Sequence, residues 1–360
     1  MHGRAAGRDA ARRLPSRALP PPAGGGGAVS EAILSVRALR RWFPVRGAFN
    51  RRRGWVKALD DVSFDLRQGE ILGLVGESGC GKSTLGKTIM GIHQPDAGEI
   101  WFEGRQIAGL SPAASRPVRR HLQYAYQDPG ASLDPRWKIG RSLHEPLVIH
   151  TDLSAADREA RVREILKAVG LPQSHLDLYP HEISGGQQRR VGLARILTLH
   201  PKVVILDEPT SGLDVSVQAT VLALFRELRD AFELTYMFVS HDLAVVRMMC
   251  SRVAVMYLGR VVEIGPTDRI FAAPQHHYTR SLLAAIPQIG GPRVTRDFWL
   301  KGEPPDPANL PSGCRFRTRC PRAEARCAEV EPVLAPSGDR EVACHFPAAP
   351  EGPDRQAEMR

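Results

Sequence analysis

The clearest chemistry in the sequence lies in residues 76–84, which read Gly-Glu-Ser-Gly-Cys-Gly-Lys-Ser-Thr. This stretch matches the pattern G-x-x-x-x-G-K-[ST] in full, with an apolar run at residues 71–75 before it and apolar residues at helical spacing after it. In such a strand–loop–helix unit, glycines let backbone N–H groups turn towards phosphate oxygens, and the helix N-terminus adds partial positive charge. The pattern therefore predicts a binding site for a nucleoside triphosphate.

Every residue of this phosphate loop is predicted to bind the nucleotide. The set is Gly76, Glu77, Ser78, Gly79, Cys80, Gly81, Lys82, Ser83 and Thr84. Lys82 should reach the β- and γ-phosphates, which makes it a candidate catalytic residue as well, and the Ser83 hydroxyl should coordinate Mg²⁺.

Two adjacent acids, Asp207 and Glu208, follow an apolar run at residues 203–206 that indicates a buried parallel strand. Asp207 should hold Mg²⁺ through its water shell, and Glu208 should act as the base for the attacking water. The alternative for this pair is an ordinary solvated turn. His241 follows a second apolar run, at residues 236–239. Strands that alternate with helices, with polar residues at strand ends, predict a doubly wound α/β core whose site lies at the carboxyl ends of the strands.

Length and composition limit the possible classes of protein. The 360 residues can form one large or two modest domains, and 42% hydrophobic with 24% charged residues is typical of globular proteins. No stretch approaches ~18 uninterrupted apolar residues, which argues against a membrane span. The net charge of +10 permits contact with phosphate or anionic lipid without requiring nucleic acid. The N-terminal region lacks the apolar stretch of a signal peptide, so we expect a cytoplasmic protein.

Four of the six cysteines fall in one Pro- and Arg-rich segment near the C-terminus: Cys314, Cys320, Cys327 and Cys344. The segment has too little apolar content for a core of its own, and disulfides are disfavoured in the cytoplasm, so the four thiols suggest a fold nucleated by metal. Zinc and an iron–sulfur cluster both accept four thiolates. Free or disulfide-paired cysteines are the remaining alternative.

Five motifs in a fixed order identify a family. They are the phosphate loop, Gln127 after a predicted strand, Ser184-Gly185-Gly186-Gln187 before a predicted helix, the run from Val203 to Glu208, and His241. The set resembles the ATP-binding cassette (ABC) ATPases over roughly residues 33–287. Two departures are small: Ile183 replaces the usual Leu of the signature, and Gly212 replaces the usual Ala in residues 211–214.

The resemblance implies an α/β fold of the ABC-type P-loop NTPase class: a RecA-like core with antiparallel β and α-helical subdomains, followed here by a small Cys-rich C-terminal extension. We accordingly predict a nucleotide-binding domain at residues 31–287, with its helical subdomain at roughly 130–200. A Cys-rich segment follows at residues 288–349. Residues 1–30 and 350–360 are predicted to be disordered tails, the first of them basic, although an Arg-rich start also resembles an organelle transit peptide.

The same resemblance implies roles for further residues. Gln127 should touch Mg²⁺ or the attacking water, and His241 should contact the γ-phosphate and the base. In this family Ser184, Gly185, Gly186 and Gln187 close over the ATP of an opposite subunit. Asp214 is also predicted to bind nucleotide. Phe43 is predicted to stack on adenine, with Trp42 as the alternative and core packing equally open for both.

Two further stretches, residues 127–136 and 313–321, resemble the ATPase subunits of oligopeptide/dipeptide/nickel importers. Some members of that family carry a cluster at these cysteines, which favours [4Fe–4S] over zinc. The resemblance implies a peripheral protein on the cytoplasmic face of the membrane that hydrolyses ATP to drive import. Its partners would be a second, homologous ATPase, two permease subunits and an extracytoplasmic peptide-binding protein. Alternatives are an importer for nickel or another small solute, a soluble ABC ATPase acting on nucleic acid or ribosomes, and a redox-sensing role for the cysteines. No nucleic acid partner is expected.

Overall fold

The computed structural model describes residues 32–46, 52–127, 130–285 and 302–349. Both predicted tails lie outside these ranges. So do Asp128 and Pro129 of the predicted loop at residues 127–136, and the first part of the predicted Cys-rich segment.

The described residues form twelve strands and ten α-helices. The strands are β1 (Ala32–Arg46), β2 (Arg52–Arg67), β3 (Ile71–Val75), β4 (Ala97–Phe102), β5 (Arg105–Gln106), β6 (Leu122–Ala125), β7 (Val203–Asp207), β8 (Thr235–Val239), β9 (Arg252–Tyr257), β10 (Arg260–Pro266), β11 (Ala335–Ser337) and β12 (Arg340–Val342). The helices are α1 (Lys82–Ile89), α2 (Pro112–His121), α3 (Ile139–His150), α4 (Ala155–Ala168), α5 (Gly185–Leu197), α6 (Val215–Phe232), α7 (Leu243–Met249), α8 (Thr267–Ala272), α9 (His277–Ala284) and α10 (Ala325–Glu329).

Eight strands form the core sheet, in the order β11-β12-β10-β9-β3-β8-β7-β6. The five from β9 to β6 are parallel, so their carboxyl ends meet at one edge. Strand β3 is buried on both faces: Ile71 and Val75 belong to one apolar cluster, and Leu72 and Leu74 belong to the other. A strand covered on both faces has to be apolar at every position, which explains its uninterrupted apolar sequence.

A second, antiparallel sheet has the order β2-β1-β4-β5. The basic residues Arg46, Arg51, Arg52 and Arg53 predict a loop after the first strand. In the structure, however, strand β2 begins at Arg52. Backbone pairing explains the difference, because Arg46 of β1 pairs with Arg52 and the ladder continues through basic residues at the end of the hairpin.

The region predicted as the helical subdomain contains α3, α4 and α5. Their buried faces share one apolar cluster through Leu143, Ile165 and Val191. The same cluster includes Leu206 of the core sheet, so the three helices share an apolar core with that sheet. No helix in the described ranges is long and apolar enough to cross a membrane.

The Cys-rich segment packs on the core sheet instead of standing apart from it. Strand β12 pairs antiparallel with β10, at Glu263–Val342 and Ile264–Glu341. The hairpin of β11 and β12 therefore adds two strands at the edge of the core sheet. Phe316 joins the apolar cluster of the core. The segment thus uses the core of the preceding domain, as its low apolar content requires.

Candidate functional site

The phosphate loop lies between β3 and α1, at the carboxyl edge of the parallel strands. Two glycines are required by close approach of neighbouring backbone as well as by positive φ. A Cβ at Gly76 (φ 151°) would lie 2.2 Å from the Met256 carbonyl oxygen. A Cβ at Gly81 (φ 111°) would lie 2.3 Å from the Ala58 carbonyl oxygen. No L side chain fits either position without moving the backbone of an adjacent strand.

The start of α1 can receive an anion. Its N-cap residue, Gly81, provides no side-chain hydrogen bond to the first-turn N–H groups, which helices otherwise leave without partners. Ser78 and Gly79 at the tip of the loop are exposed. Lys82 is buried and its Nζ donates to the carbonyl oxygens of Gly76, at 2.7 Å, and Glu77, at 3.1 Å. This arrangement of amides and one ammonium group suits a polyphosphate.

Ser83 and Asp207, 124 positions apart in the chain, meet at this edge: the Ser83 hydroxyl donates to the Asp207 carboxylate at 3.0 Å. The other carboxylate oxygen accepts from the Tyr124 hydroxyl at the end of β6. Burial, followed by this hydrogen bond, raises the pKa of Tyr124, so the phenol keeps its proton and remains a donor. One hydroxyl and one carboxylate, with an outer partner that fixes the carboxylate, are donors that fit Mg²⁺.

Glu208 and His241 also meet, with 3.2 Å between His241 Nδ1 and Glu208 Oε1. Glu208 adopts a left-handed backbone conformation (φ 49°), which is strained for a residue with a Cβ. Its N–H donates to the Val239 carbonyl oxygen of β8 at 2.9 Å, which holds the backbone in place. The Glu208 side chain is partly exposed, so water can reach its carboxylate, as a base for a water molecule requires.

Gln127 is exposed after β6, and its Nε2 donates to the Ser211 hydroxyl at 3.3 Å. Ser211 lies in the loop that ends at Asp214, which is the exposed N-cap residue of α6 and makes no side-chain capping bond. Gln127 therefore contacts this loop, and its predicted contact with Mg²⁺ or water stays a prediction.

The N-terminus of α5 is closed by a capping box. The Ser184 hydroxyl accepts from the Gln187 N–H at 3.3 Å, and the Gln187 side chain accepts from the Ser184 N–H at 2.9 Å. Gly185 and Gly186 are exposed, and a Cβ at either would meet no atom within 4 Å. Neither glycine is required by the packing of its own chain.

Phe43 lies in β1 opposite Val56. The Arg41 guanidinium lies 4.7 Å from its ring centroid, and the His93 ring packs edge-on against it at 5.4 Å. Lys57 Nζ lies 4.8 Å from the Trp42 ring. Both aromatic residues thus carry a cation beside the ring, and the choice of adenine partner stays a prediction.

The four C-terminal cysteines line one small cavity, together with His276, His277 and Phe316. Burial, with a contribution from neighbouring cysteines, raises the pKa of Cys314 to about 11 and that of Cys344 to about 12. The described ranges contain no group of three or more His, Cys, Asp or Glu side chains placed to hold a metal ion. The structure therefore gives the predicted cluster no direct support, although it brings its four proposed ligands to one place.

Three contacts of the site were missed by sequence reasoning. They are the hydrogen bond of Tyr124 to Asp207 and the hydrogen bonds of Tyr278 and Arg319 with Glu77. Tyr124 stands on a strand next to the one that ends in Asp207, so a correct strand order would have suggested it. Tyr278 and Arg319 lie more than 200 positions from Glu77, and nothing in the local pattern indicates the pairing.

This fold and this edge of polar side chains define an ATP-binding cassette. A family model described as ABC transporter matches residues 59–211. A solved dimeric cassette, MJ0796 in a post-hydrolysis state with ADP and Pi, superposes with a TM-score of 0.58 at 25% identity, covering 65% of this chain and 98% of that one. The protein is an ABC-type ATPase, and that class uses ATP and Mg²⁺.

A second model, for the C-terminal region of oligopeptide/dipeptide transporters, matches residues 262–327. The oligopeptide transport ATP-binding protein AppF of Bacillus subtilis is 46% identical over 88% of this chain and 98% of its own. The di/tripeptide transport ATP-binding protein DppF of Pseudomonas aeruginosa is 45% identical over the same shares. The chain belongs to the family of ATP-binding proteins of oligopeptide/dipeptide ABC transporters, as its sequence motifs predicted.

Proposed function

We propose that this chain powers the import of dipeptides or oligopeptides by hydrolysing ATP on the cytoplasmic face of the membrane. The observation that carries the proposal is the joint presence of a cassette and the oligopeptide/dipeptide C-terminal region in one chain. Relatives at 43–48% identity, named for transport of peptides, support the same substrate class.

The assembly that we propose contains a second, homologous ATPase, two permease subunits and an extracytoplasmic peptide-binding protein. Large apolar side chains on the cassette surface support a docking site for the permease: Tyr126 is 48% exposed, Val148 59% and Ile149 45%. Exposed apolar groups of this size are typical of interaction surfaces. The chain would be peripheral, held at the membrane by these subunits.

Within the cassette, we propose that Lys82 and the phosphate-loop amides bind the triphosphate, with Ser83 and Asp207 at the Mg²⁺ side. Glu208 would take the proton of the attacking water, and His241, 3.2 Å from it, would orient that carboxylate. Gln127 would connect this site to the loop at residues 211–214. Open space at Gly185 and Gly186 supports binding of the partner subunit's nucleotide at the start of α5.

Reconstitution tests the substrate class. The chain, co-purified with its permease subunits and partner ATPase and supplied with the binding protein in liposomes, should show ATPase activity that rises several-fold with di- or oligopeptides. Nickel supplied in the same way should leave the rate unchanged. Stimulation by nickel alone would transfer the chain to the metal importers, and stimulation by nucleic acid without the membrane subunits would contradict the transport function.

We further propose that Cys314, Cys320, Cys327 and Cys344 hold a [4Fe–4S] cluster with a structural role. The support is chemical: four thiols from separate parts of the segment line one small cavity. The raised pKa values of Cys314 and Cys344 mean that binding of a cation there must displace protons. The protein purified anaerobically should be brown, should absorb visible light, and should contain about four irons and four sulfides per chain. One zinc and no colour would assign a zinc site, and neither metal would leave the cysteines as thiols.

A further inference from the structure

One residue between the first two cysteines of the C-terminal segment, Arg319, contacts the phosphate loop. We call residues 314–320 the arginine segment, after Arg315, Arg317 and Arg319. Arg315 and Arg319 are buried, whereas Arg317 remains partly exposed. The two buried side chains therefore cross into the cassette, although the family motifs assign them no role in nucleotide binding.

Arg319 forms a bidentate ion pair with Glu77, the second residue of the phosphate loop. Its two terminal nitrogens lie 2.8 and 3.0 Å from the two carboxylate oxygens. The Arg319 side chain is only 5% exposed and that of Glu77 is 22% exposed. A guanidinium that meets a carboxylate in this geometry fixes both the position and the orientation of its partner.

The backbone of Glu77 is held as well. Its N–H donates to the Tyr278 hydroxyl at 2.9 Å, at the start of α9. Arg319 also donates to the Tyr257 hydroxyl, at 3.3 Å, at the end of β9. Glu77 is thus fixed at its side chain by the arginine segment and at its amide by α9, immediately before the exposed tip of the loop at Ser78 and Gly79.

Electrostatics explains why such a contact is needed. Glu77 places a carboxylate within the loop that is proposed to bind a triphosphate. Like charges repel each other more strongly where water is partly excluded. A buried guanidinium on Glu77 cancels that charge. If Arg319 were absent, the carboxylate would stand unneutralised beside the phosphates and would be free to rotate towards them.

We propose that Arg319 is a positioning residue for ATP binding, supplied by the C-terminal segment to neutralise and orient Glu77. The proposal rests on the phosphate-binding role of residues 76–84 and is independent of the transported solute. It gives the arginine segment a function in the nucleotide site itself.

The surroundings of Arg319 are built to hold it rigidly. The Arg319 N–H donates to the Phe316 carbonyl oxygen at 2.9 Å, and the Phe316 ring packs on Tyr257 and Tyr278 at 5.4 and 5.5 Å. Arg315 anchors the other end, because it pairs with buried Asp60 and donates to the Leu258 carbonyl oxygen. The segment therefore positions one arginine for the loop and uses the other to attach itself to the cassette.

The test compares Arg319→Met with the matched control Arg317→Met in the full chain, loaded with whatever metal it holds when purified anaerobically. Equilibrium binding of ATP with Mg²⁺ is measured, with thermal melting to confirm folding. We expect the ATP Kd of Arg319→Met to rise at least tenfold and that of Arg317→Met to change less than twofold. Arg317→Met makes the same kind of side-chain change in the same segment, but within the described ranges the Arg317 guanidinium hydrogen-bonds to Ser312 and not to the phosphate loop.

A double variant separates the charge effect from packing. Adding Arg319→Met to a Glu77→Gln background should change the ATP Kd less than threefold, since no carboxylate is then left to neutralise. This comparison remains decisive if the single Arg319 variant does not fold. A folded Arg319→Met with normal affinity, or an equal loss in both backgrounds, would overturn the proposal.

Lys82→Ala serves as the reference for the site as a whole. Loss of ATP binding in Lys82→Ala together with normal binding in Arg319→Met would reject only the role of Arg319. Normal binding in Lys82→Ala would instead reject the proposed phosphate site.

Discussion

Replacing Glu208 with Gln should lower ATP turnover in the assembled transporter by at least about 100-fold, because a positioned general base contributes roughly 10²–10⁴. ATP binding should remain, since Gln preserves the size of the side chain and the phosphate contacts come from other residues. The site would then hold ATP without hydrolysing it, and Glu208→Gln should trap the nucleotide-bound state.

The contacts in the structure favour Glu208 over the adjacent Asp207 as the proposed base. Both oxygens of Asp207 already accept hydrogen bonds, from Ser83 and Tyr124, whereas Glu208 faces His241. The left-handed φ of 49° turns the Glu208 backbone out of the line of β7, where the hydrogen bond to the Val239 carbonyl oxygen holds it. This conformation costs a non-glycine residue of order 1–3 kcal/mol. Six other described non-glycine residues also have a positive φ, so the assignment of Glu208 depends on its contact with His241 and not on the strain alone.

The chain offers a close control in Glu233. It is a second glutamate in the left-handed region (φ 52°), exposed at the end of α6 and far from the phosphate loop in sequence. Glu233→Gln should leave kcat and the ATP Kd unchanged. A Glu208→Gln variant that retained more than a tenth of the wild-type rate would show that another group activates the water.

Much of the nucleotide site could be predicted from the sequence because its residues are fixed by backbone geometry. The glycines at 76 and 81 are forced by neighbouring main chain, so the motif alone places the loop. The meeting of Ser83 with Asp207 follows from the rule that parallel strands end at one edge, although 124 positions separate the two residues. Apolar runs at β3, β7 and β8 mark these strands directly.

The remaining contacts depend on which elements become neighbours, and the sequence does not carry that information locally. Arg319 reaches Glu77 because the segment that carries it packs on the cassette through Phe316 and Arg315, and no local pattern indicates these contacts. The spacing of the cysteines suggested a common site, but only the fold brings Cys344, beyond β12, to the cavity of the other three. Contacts that depend on tertiary pairing could not be predicted, because no local sequence pattern determines them.

Replacing Gly186 with Glu should abolish turnover in the assembled transporter while leaving the stability of the chain unchanged or slightly higher. An acidic side chain in the first turn of a helix stabilises it by about 0.3–1 kcal/mol through the helix dipole, and the Cβ at this position meets no atom of its own chain. The same carboxylate would stand where we propose that the partner's triphosphate binds. The substitution should therefore abolish turnover without lowering the stability of the chain.

Helix α4 supplies the comparison that makes this argument specific. Its N-cap, Ser154, accepts from the Asp157 N–H just as Ser184 accepts from the Gln187 N–H in α5, but the two residues between cap and N3 are Ala155 and Ala156. Glycine is therefore unnecessary for this cap, and it is a poorer helix former than alanine by about 1 kcal/mol. We propose that the two glycines of α5 leave room for a ligand that approaches from outside the chain.

Ala156→Glu is the matched control, because it places the same charge at the same position of another exposed helix start whose Ser N-cap also accepts from the N–H three residues on. Turnover, ATP binding by the isolated chain, and ATP-dependent association in the Glu208→Gln background should be measured for both variants. We expect Gly186→Glu to bind ATP normally, to fail to associate and to lose at least about 100-fold in turnover, while Ala156→Glu behaves as wild type. Normal turnover in Gly186→Glu would place the partner's nucleotide elsewhere, and a loss of stability would mean that the helix start packs against its own chain after all.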